Sequence, residues 1–385
     1  MRSKAKILAL LTLQALIPAV LVAATRPRAR DLGVPFEGTP GHWNSITDVA
    51  GVEVGHTTLI SGEGKLEVGK GPVRTGVTAI LPRGKNSNND AVFAGWFSQN
   101  GNGEMTGTTW VEESGFLEGP FLVTNTHSVG VVRDAAIAWR VKQGGPDASG
   151  YWWSLPVVAE TWDGYLNDIN GFHVRAEHVF EALSSAAGGP VAEGGVGGGT
   201  GMICYEFKGG IGTSSRKLAE KAGGYTVGVL VQCNCGRRSL LRVSGVPVGL
   251  EIPGTVYGQD TGSIIIVVAT DAPLLPHQLK RLARRATMGL ARTGSVSGNG
   301  SGDIFLAFST ANAGAWASTR PLPVTMVPNE NMDSLFEATV QATEEAIINT
   351  LVAGETMTGI NGHRVPGLPH GRLREVLKKY NRLSP

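Results

Sequence analysis

The chain has 385 residues, 42% hydrophobic and 17% charged, with a formal net charge of +2. Such a composition describes a folded protein with a substantial core, one large domain or two ordinary ones, and the near-neutral balance argues against a nucleic-acid partner. Glycine is the outlier: 54 residues is about twice the usual share of ~7%, and without a Gly-X-Y period it signals tight turns and close backbone approaches.

Residues 1–24 read as a leader. Arg2, Lys4 and Lys6 form a basic head, Ile7 to Val22 an apolar stretch containing Gln14 and Pro18, and Val22-Ala23-Ala24 a small-residue cleavage site. The run is shorter than about 20 residues and interrupted, so an uncleaved anchor is the weaker alternative and a periplasmic or secreted location after leader removal is expected. Export permits disulfides, but three cysteines (Cys204, Cys233 and Cys235) are an odd number, and Cys233 and Cys235 on one face of a strand are poorly placed to join each other. They read as buried small hydrophobes. No Cys-x-x-Cys or His-Glu-x-x-His spacing occurs, so neither a metal nor another cofactor is expected.

After a Pro/Arg/Gly-rich lead-in from Thr25 to Pro40, Asn44 to Thr57 reads as short strands broken by glycine, followed by strands over Thr75 to Leu81 and Ala91 to Ser98. Phe121 to Thr126 is a further strand feeding a helix that Ser128 caps, with Val131, Val132, Ala135, Ala136 and Trp139 at helical spacing until Gly144-Gly145. Pro156 to Glu160 delivers a carboxyl group at a strand end, just before Trp162; a solvated terminus is the plain alternative. A helix is expected over Val174 to Ala187. The glycine cluster Gly194 to Gly201 lacks a following helix and a Gly-Lys-Ser/Thr, so it does not read as a nucleotide loop. Met202 to Phe207 is expected as a strand and Ser214 to Lys221 as a short capped helix ended by Gly223-Gly224. Tyr225 to Gln232 is an apolar strand that carries Asn234 at its far end, either an oxyanion donor or a turn residue before Gly236.

Asp260-Thr261-Gly262-Ser263 then runs into Ile264 to Thr270, an unbroken β-branched run that reads as a buried central strand with a hydroxyl at its first position. Gly262 lets another group approach its carbonyl. Ser263 is therefore a candidate to attack that carbonyl, cut the chain and become an N-terminal nucleophile, although Gly-Ser before a strand is also an ordinary turn. Leu274 to Arg292 and Met332 to Ala353 are amphipathic helices. Between them, Gly300-Ser301-Gly302-Asp303 brings a hydroxyl and a carboxyl to the head of the strand Ile304 to Phe308. So many strands and so few helices favour two packed sheets with helices outside, in one domain.

Ile46 to Thr57, Gly199-Thr200-Gly201-Met202 with Lys208 to Arg216, Thr261-Gly262-Ser263 and Gly300-Ser301-Gly302-Asp303, in that order, resemble the β-peptidyl aminopeptidase and L-aminopeptidase/D-amidase/esterase family over nearly the whole mature chain. The resemblance implies an α+β fold, a four-layer αββα sandwich related to the N-terminal-nucleophile hydrolases. It also implies self-cleavage into a large fragment (25–262) and a small one (263–385) that stay together as a heterodimer, commonly in tetramers. Ser263 would be the nucleophile, Ser301 and Asp303 would hold and polarise its amine and hydroxyl, Asn234 would face the oxyanion, Glu160 would bind the substrate's ammonium, and Trp162 would lie near the scissile bond. Close relatives that cleave β-peptides can carry Glu where Asp303 stands, which leaves β-, D- and L-amino N-termini all open as substrates.

The residue types fit independently. A serine hydroxyl needs a base, and a free α-amine with a pKa of about 7.7–8.0 can serve once cleavage has created it. The expected activity is a serine aminopeptidase acting on short peptides, amides or esters. The alternatives are a self-cleaving amino-acid N-acyltransferase, against which Ser rather than Thr at the junction counts, and a non-catalytic exported binding protein.

Overall fold

In the computed structural model, the structure describes residues 26–384 except 86, 88–89, 145–152, 259–261 and 318. The expected leader lies outside the described residues. Among the described residues, no helix is long and apolar enough to cross a membrane.

Two sheets carry the fold. The first has four strands in the spatial order Glu53–Ser61, Val73–Lys85, Phe121–Asn125, Val157–Thr161, the last two parallel and the others antiparallel. The second has six, in the order Phe116–Leu117, Val92–Ser98, Asp303–Ser309, Ser263–Thr270, Thr226–Asn234, Gly210–Lys217. Only the Ser263–Thr270 and Asp303–Ser309 pair is parallel there. The all-apolar sequence of Ile264 to Ala269 follows from burial on both faces.

Three apolar layers alternate with the sheets. Between them, Ile80, Val123 and Ala159 of the first sheet meet Leu230, Ile265, Val267 and Leu306 of the second. Outside the first sheet pack the helices Val129–Lys142 and Ala176–Ser184 through Val132, Ala136, Val179 and Leu183. Outside the second pack Pro276–Arg292 and Asp333–Ala353 through Leu279, Leu282, Ala342 and Ile347, completing the αββα sandwich. Because adjacent residues of a strand face opposite ways, Ile264, Ile266 and Val268 serve the outer core while Ile265 and Val267 serve the inner one.

Three local expectations are corrected. Gly210–Lys217 is a strand and only Glu220–Ala222 turns, so Ser214 and Ser215 cap nothing: their hydroxyls donate to the Ala342 carbonyl and to Asp48. Its small residues are there for close packing, since a Cβ on Gly212 would stand 2.0 Å from the Ala346 carbonyl oxygen of the covering helix. Met202 to Phe207 is not one strand. Tyr205 and Glu206 adopt positive φ (49° and 59°), turning the chain between the two-residue strands Ile203–Cys204 and Phe207–Lys208. That turn brings Cys204 to Cys233, and the two form a disulfide, leaving Cys235 as a buried thiol. The glycine cluster instead fills the space between strands: Gly197 to Gly199 make a buried helical turn, and a Cβ on Gly198 would stand 2.3 Å from Gln232 Oε1.

Candidate active site

The site forms where the strand heads of the second sheet meet the strand ends of the first. Pairing register does most of the placement. Asn234, last in its strand, is the antiparallel partner of Ser263, first in its own, and Ile264 is the parallel partner of Asp303. Three residues distant in sequence thus reach one edge.

Ser263 is buried, and its Oγ accepts a hydrogen bond of 3.0 Å from the Gly302 N–H. Gly302 is a glycine for a steric reason, because a Cβ would stand 2.4 Å from the Asn102 carbonyl oxygen. On either side of it, Ser301 Oγ donates to Asp303 Oδ1 at 2.6 Å, and the Asp303 N–H donates to Asn100 Oδ1 at 2.6 Å. Gly262 rests on the Asn234–Cys235 peptide, where a Cβ would overlap the Asn234 carbonyl. Asn234 itself is tied into the backbone. Its Oδ1 accepts from the Ile203 N–H at 2.7 Å, and its Nδ2, which carries two hydrogens, gives one to the Trp162 carbonyl at 2.9 Å.

Glu160, from the first sheet, completes the group. One oxygen accepts the Glu104 N–H at 2.9 Å and the other the Thr126 hydroxyl. A Cβ on Gly103 would lie 3.3 Å from Glu160 Oε1 and 3.1 Å from the Gly302 Cα, so that single glycine separates the carboxyl from the turn that touches Ser263. Burial pushes the Glu160 carboxyl above its ordinary pKa, the hydrogen bonds from Thr126 and Glu104 pull it back, the Glu104 charge raises it and His127 lowers it. An arriving cation would relieve the strain on a buried carboxylate. Trp162 contributes its carbonyl to Asn234; the residue is 39% exposed and its ring lies against Gly164.

All the expected residues, Ser263, Ser301, Asp303, Asn234, Glu160, Trp162 and Gly262, fall in this one region. Missed in the sequence were Asn100, Asn102 and Glu104, on the loop that wraps the Ser301–Asp303 turn, and Thr126. The run Asn100-Gly101-Asn102-Gly103 was the available signal, a polar glycine-rich loop following a strand.

A buried serine hydroxyl at a strand head, a glycine immediately before it and a buried carboxyl group thus stand together at one sheet edge. The family model of peptidase family S58 matches residues 44–365. The chain belongs to peptidase family S58. Among its S58 relatives, a protein named beta-peptidyl aminopeptidase BapA from Sphingosinicella microcystinivorans is 58% identical, over 96% of this chain and 98% of that one. A solved Burkholderia sp. beta-aminopeptidase is 51% identical with a TM-score of 0.85, covering 92% of this chain and 99% of that one. The L-aminopeptidase D-Ala-esterase/amidase of Ochrobactrum anthropi, described as a prototype for the serine aminopeptidases and a variant of the Ntn hydrolase fold, is 49% identical with a TM-score of 0.87. It covers 93% of this chain and is itself covered completely.

Proposed function

We propose that the chain is an exported serine aminopeptidase that activates itself by cutting between Gly262 and Ser263 and then releases N-terminal residues, β-amino residues foremost, from short peptides and amides. The observation that carries this is Ser263 at the strand head, one residue after Gly262, with its Oγ held by the Gly302 N–H. The substrate class rests on the likeness to proteins named β-aminopeptidases at 51% and 58% identity.

In the first step Oγ attacks the Gly262 carbonyl carbon, the C–N bond breaks, and the serine nitrogen takes the hydroxyl proton to become a free amine. Water then hydrolyses the ester to a Gly262 carboxylate and restores the Ser263 hydroxyl. In turnover that amine is the base: it takes the Oγ proton as Oγ attacks the substrate carbonyl and returns it to the leaving amine as the C–N bond breaks, and water then hydrolyses the acyl ester to free the N-terminal residue and the Ser263 hydroxyl. The second hydrogen of Asn234 Nδ2 faces the oxyanion. Ser301 and Asp303 hold the amine, and Glu160 pairs with the substrate's ammonium, which makes the enzyme an exopeptidase. Fragments 25–262 and 263–385 stay together, and these heterodimers assemble further, as tetramers.

Denaturing electrophoresis and mass measurement of the purified active protein test the core of this reading. Two fragments are expected, the smaller starting at Ser263. Active material that is one continuous chain through Ser263 would refute it, as would inactivity toward p-nitroanilides bearing β-, D- and L-amino residues alike.

A further inference from the structure

Glu206 has no part in the site above, yet its side chain is almost fully buried and aimed at the segment leading into the junction. One oxygen, Oε1, accepts from the backbone N–H groups of Val256 (3.3 Å), Tyr257 (3.2 Å) and Gly258 (2.6 Å) and from the Thr255 hydroxyl (3.3 Å). The other oxygen accepts the Arg238 N–H at 3.4 Å. Thr255 and Gly258 are exposed and Val256 and Tyr257 half-buried, so this surface loop is gathered from beneath by one inward carboxyl group.

The carboxyl is itself fixed. Tyr205 and Glu206 sit consecutively at positive φ, a conformation that non-glycine residues keep only where their surroundings enforce it. Here Arg238 does so, donating from Nε to the Tyr205 carbonyl at 2.9 Å and from its other arm to the Glu206 carbonyl. The Tyr205 N–H donates to the Cys235 carbonyl at 2.7 Å, and Cys235 belongs to the same peptide on which Gly262 rests. One scaffold therefore grips the chain at Gly258, through Glu206, and again at Gly262, four residues later.

We propose that Glu206 is a positioning residue for self-cleavage: by holding residues 255–258 on the scaffold that also supports Gly262, it keeps the Gly262 carbonyl presented to Ser263. This rests on the reading that the chain cuts itself before Ser263. Once the bond is broken the same hold concerns only the departing end of the large fragment, so Glu206 governs maturation and not turnover.

The test follows processing of newly made full-length chains by electrophoresis and, separately, hydrolysis of a β-amino p-nitroanilide per mole of cleaved Ser263. Glu206→Ala is expected to slow processing tenfold or more, with activity per cleaved site within twofold of wild type. Glu206→Gln keeps an acceptor oxygen toward the loop and is expected to process within about threefold of wild type. In a Ser263→Ala background, adding Glu206→Ala is expected to leave the melting temperature within a few degrees while a protease cuts the 253–262 segment faster. Unchanged processing in Glu206→Ala, an equal loss of processing and of activity per cleaved site, a collapsed melting temperature, or unchanged protease susceptibility would each overturn the proposal. A wild-type chain that stays whole sinks the self-cleavage reading first, and the wild-type lane alone shows it.

Discussion

Gly262 lies so close over the carbonyl of Asn234 that a Cβ added to it would stand 1.6 Å from the oxygen and 2.6 Å from the carbon. No side chain fits there without moving backbone. Gly262→Ala is therefore expected to displace the peptide bond before Ser263 and slow fragment formation at least tenfold, with uncut chain accumulating on gels. Processing at the wild-type rate would show that this contact does not set the geometry of the bond.

Ser263→Ala removes the attacking oxygen while keeping the strand-head backbone. A single uncut chain with no aminopeptidase activity is expected, read by electrophoresis and mass. Two fragments in this variant would assign the cut to another group.

Asn234→Asp tests the amide as a donor, and it ends the bond to the Trp162 carbonyl along with the donation toward the oxyanion. The aspartate still accepts the Ile203 N–H but has no N–H to donate. A donor lost from an oxyanion site costs about 10²–10³ in kcat. That loss is expected, with the melting temperature changed by only a few degrees; unchanged kcat would leave Asn234 a backbone brace.

Glu160 must be ionised to pair with an ammonium, and its burial holds its pKa above the ordinary carboxylate range. With the Ser263 amine as base, the acid limb of kcat/KM is expected to fall with slope one as that amine, with a reference pKa of about 7.7–8.0, becomes protonated. As pH falls further through the Glu160 titration the slope should steepen toward two. Glu160→Gln should restore slope one at a rate at least a hundredfold lower, while self-cleavage continues. Equal loss of cleavage and turnover would make Glu160 structural.

Asp163, next to Trp162, is buried, accepts from Asn167 Nδ2 at 3.0 Å, and is pushed up to about 7 by burial. The folded chain therefore holds this proton between its unfolded value of 3.8 and about 7, where the unfolded chain has lost it. Stability from this group is complete below about pH 4 and is lost as pH rises toward 7. Asp163→Asn, neutral throughout, should flatten the decline in melting temperature over that window and gain a few degrees at pH 8. A parallel decline in both proteins would show that Asp163 is not its source.

The layers were legible because strands such as Ile264 to Ala269 are apolar throughout and the long helices keep one apolar side. The shared location of Ser263, Ser301, Asp303, Asn234 and Glu160 was legible because each sits in a short motif at or beside a strand end. Gly210 to Lys217 carries no strand signal because it is small or polar on both faces: Gly212 and Ser214 meet the Asp333–Ala353 helix, while the Thr213 and Ser215 hydroxyls bond the Val229 carbonyl and Asp48. The Cys204–Cys233 bond was missed because the positive-φ turn at Tyr205 and Glu206 occupies two residue types that seldom take that conformation. The Asn100 to Glu104 loop and Thr126 reach the site only through tertiary contact, which local pattern does not encode.

The order of the six-stranded sheet has a mechanical consequence. The strands Ser263–Thr270 and Asp303–Ser309, both downstream of the junction, lie side by side between Thr226–Asn234 and Val92–Ser98, both upstream of it. A nick at Gly262 leaves the newer piece sewn into the middle of the older one along two full seams of backbone hydrogen bonds. Parting the halves would mean tearing the sheet, so the two pieces have no route to separation that is gentler than denaturation.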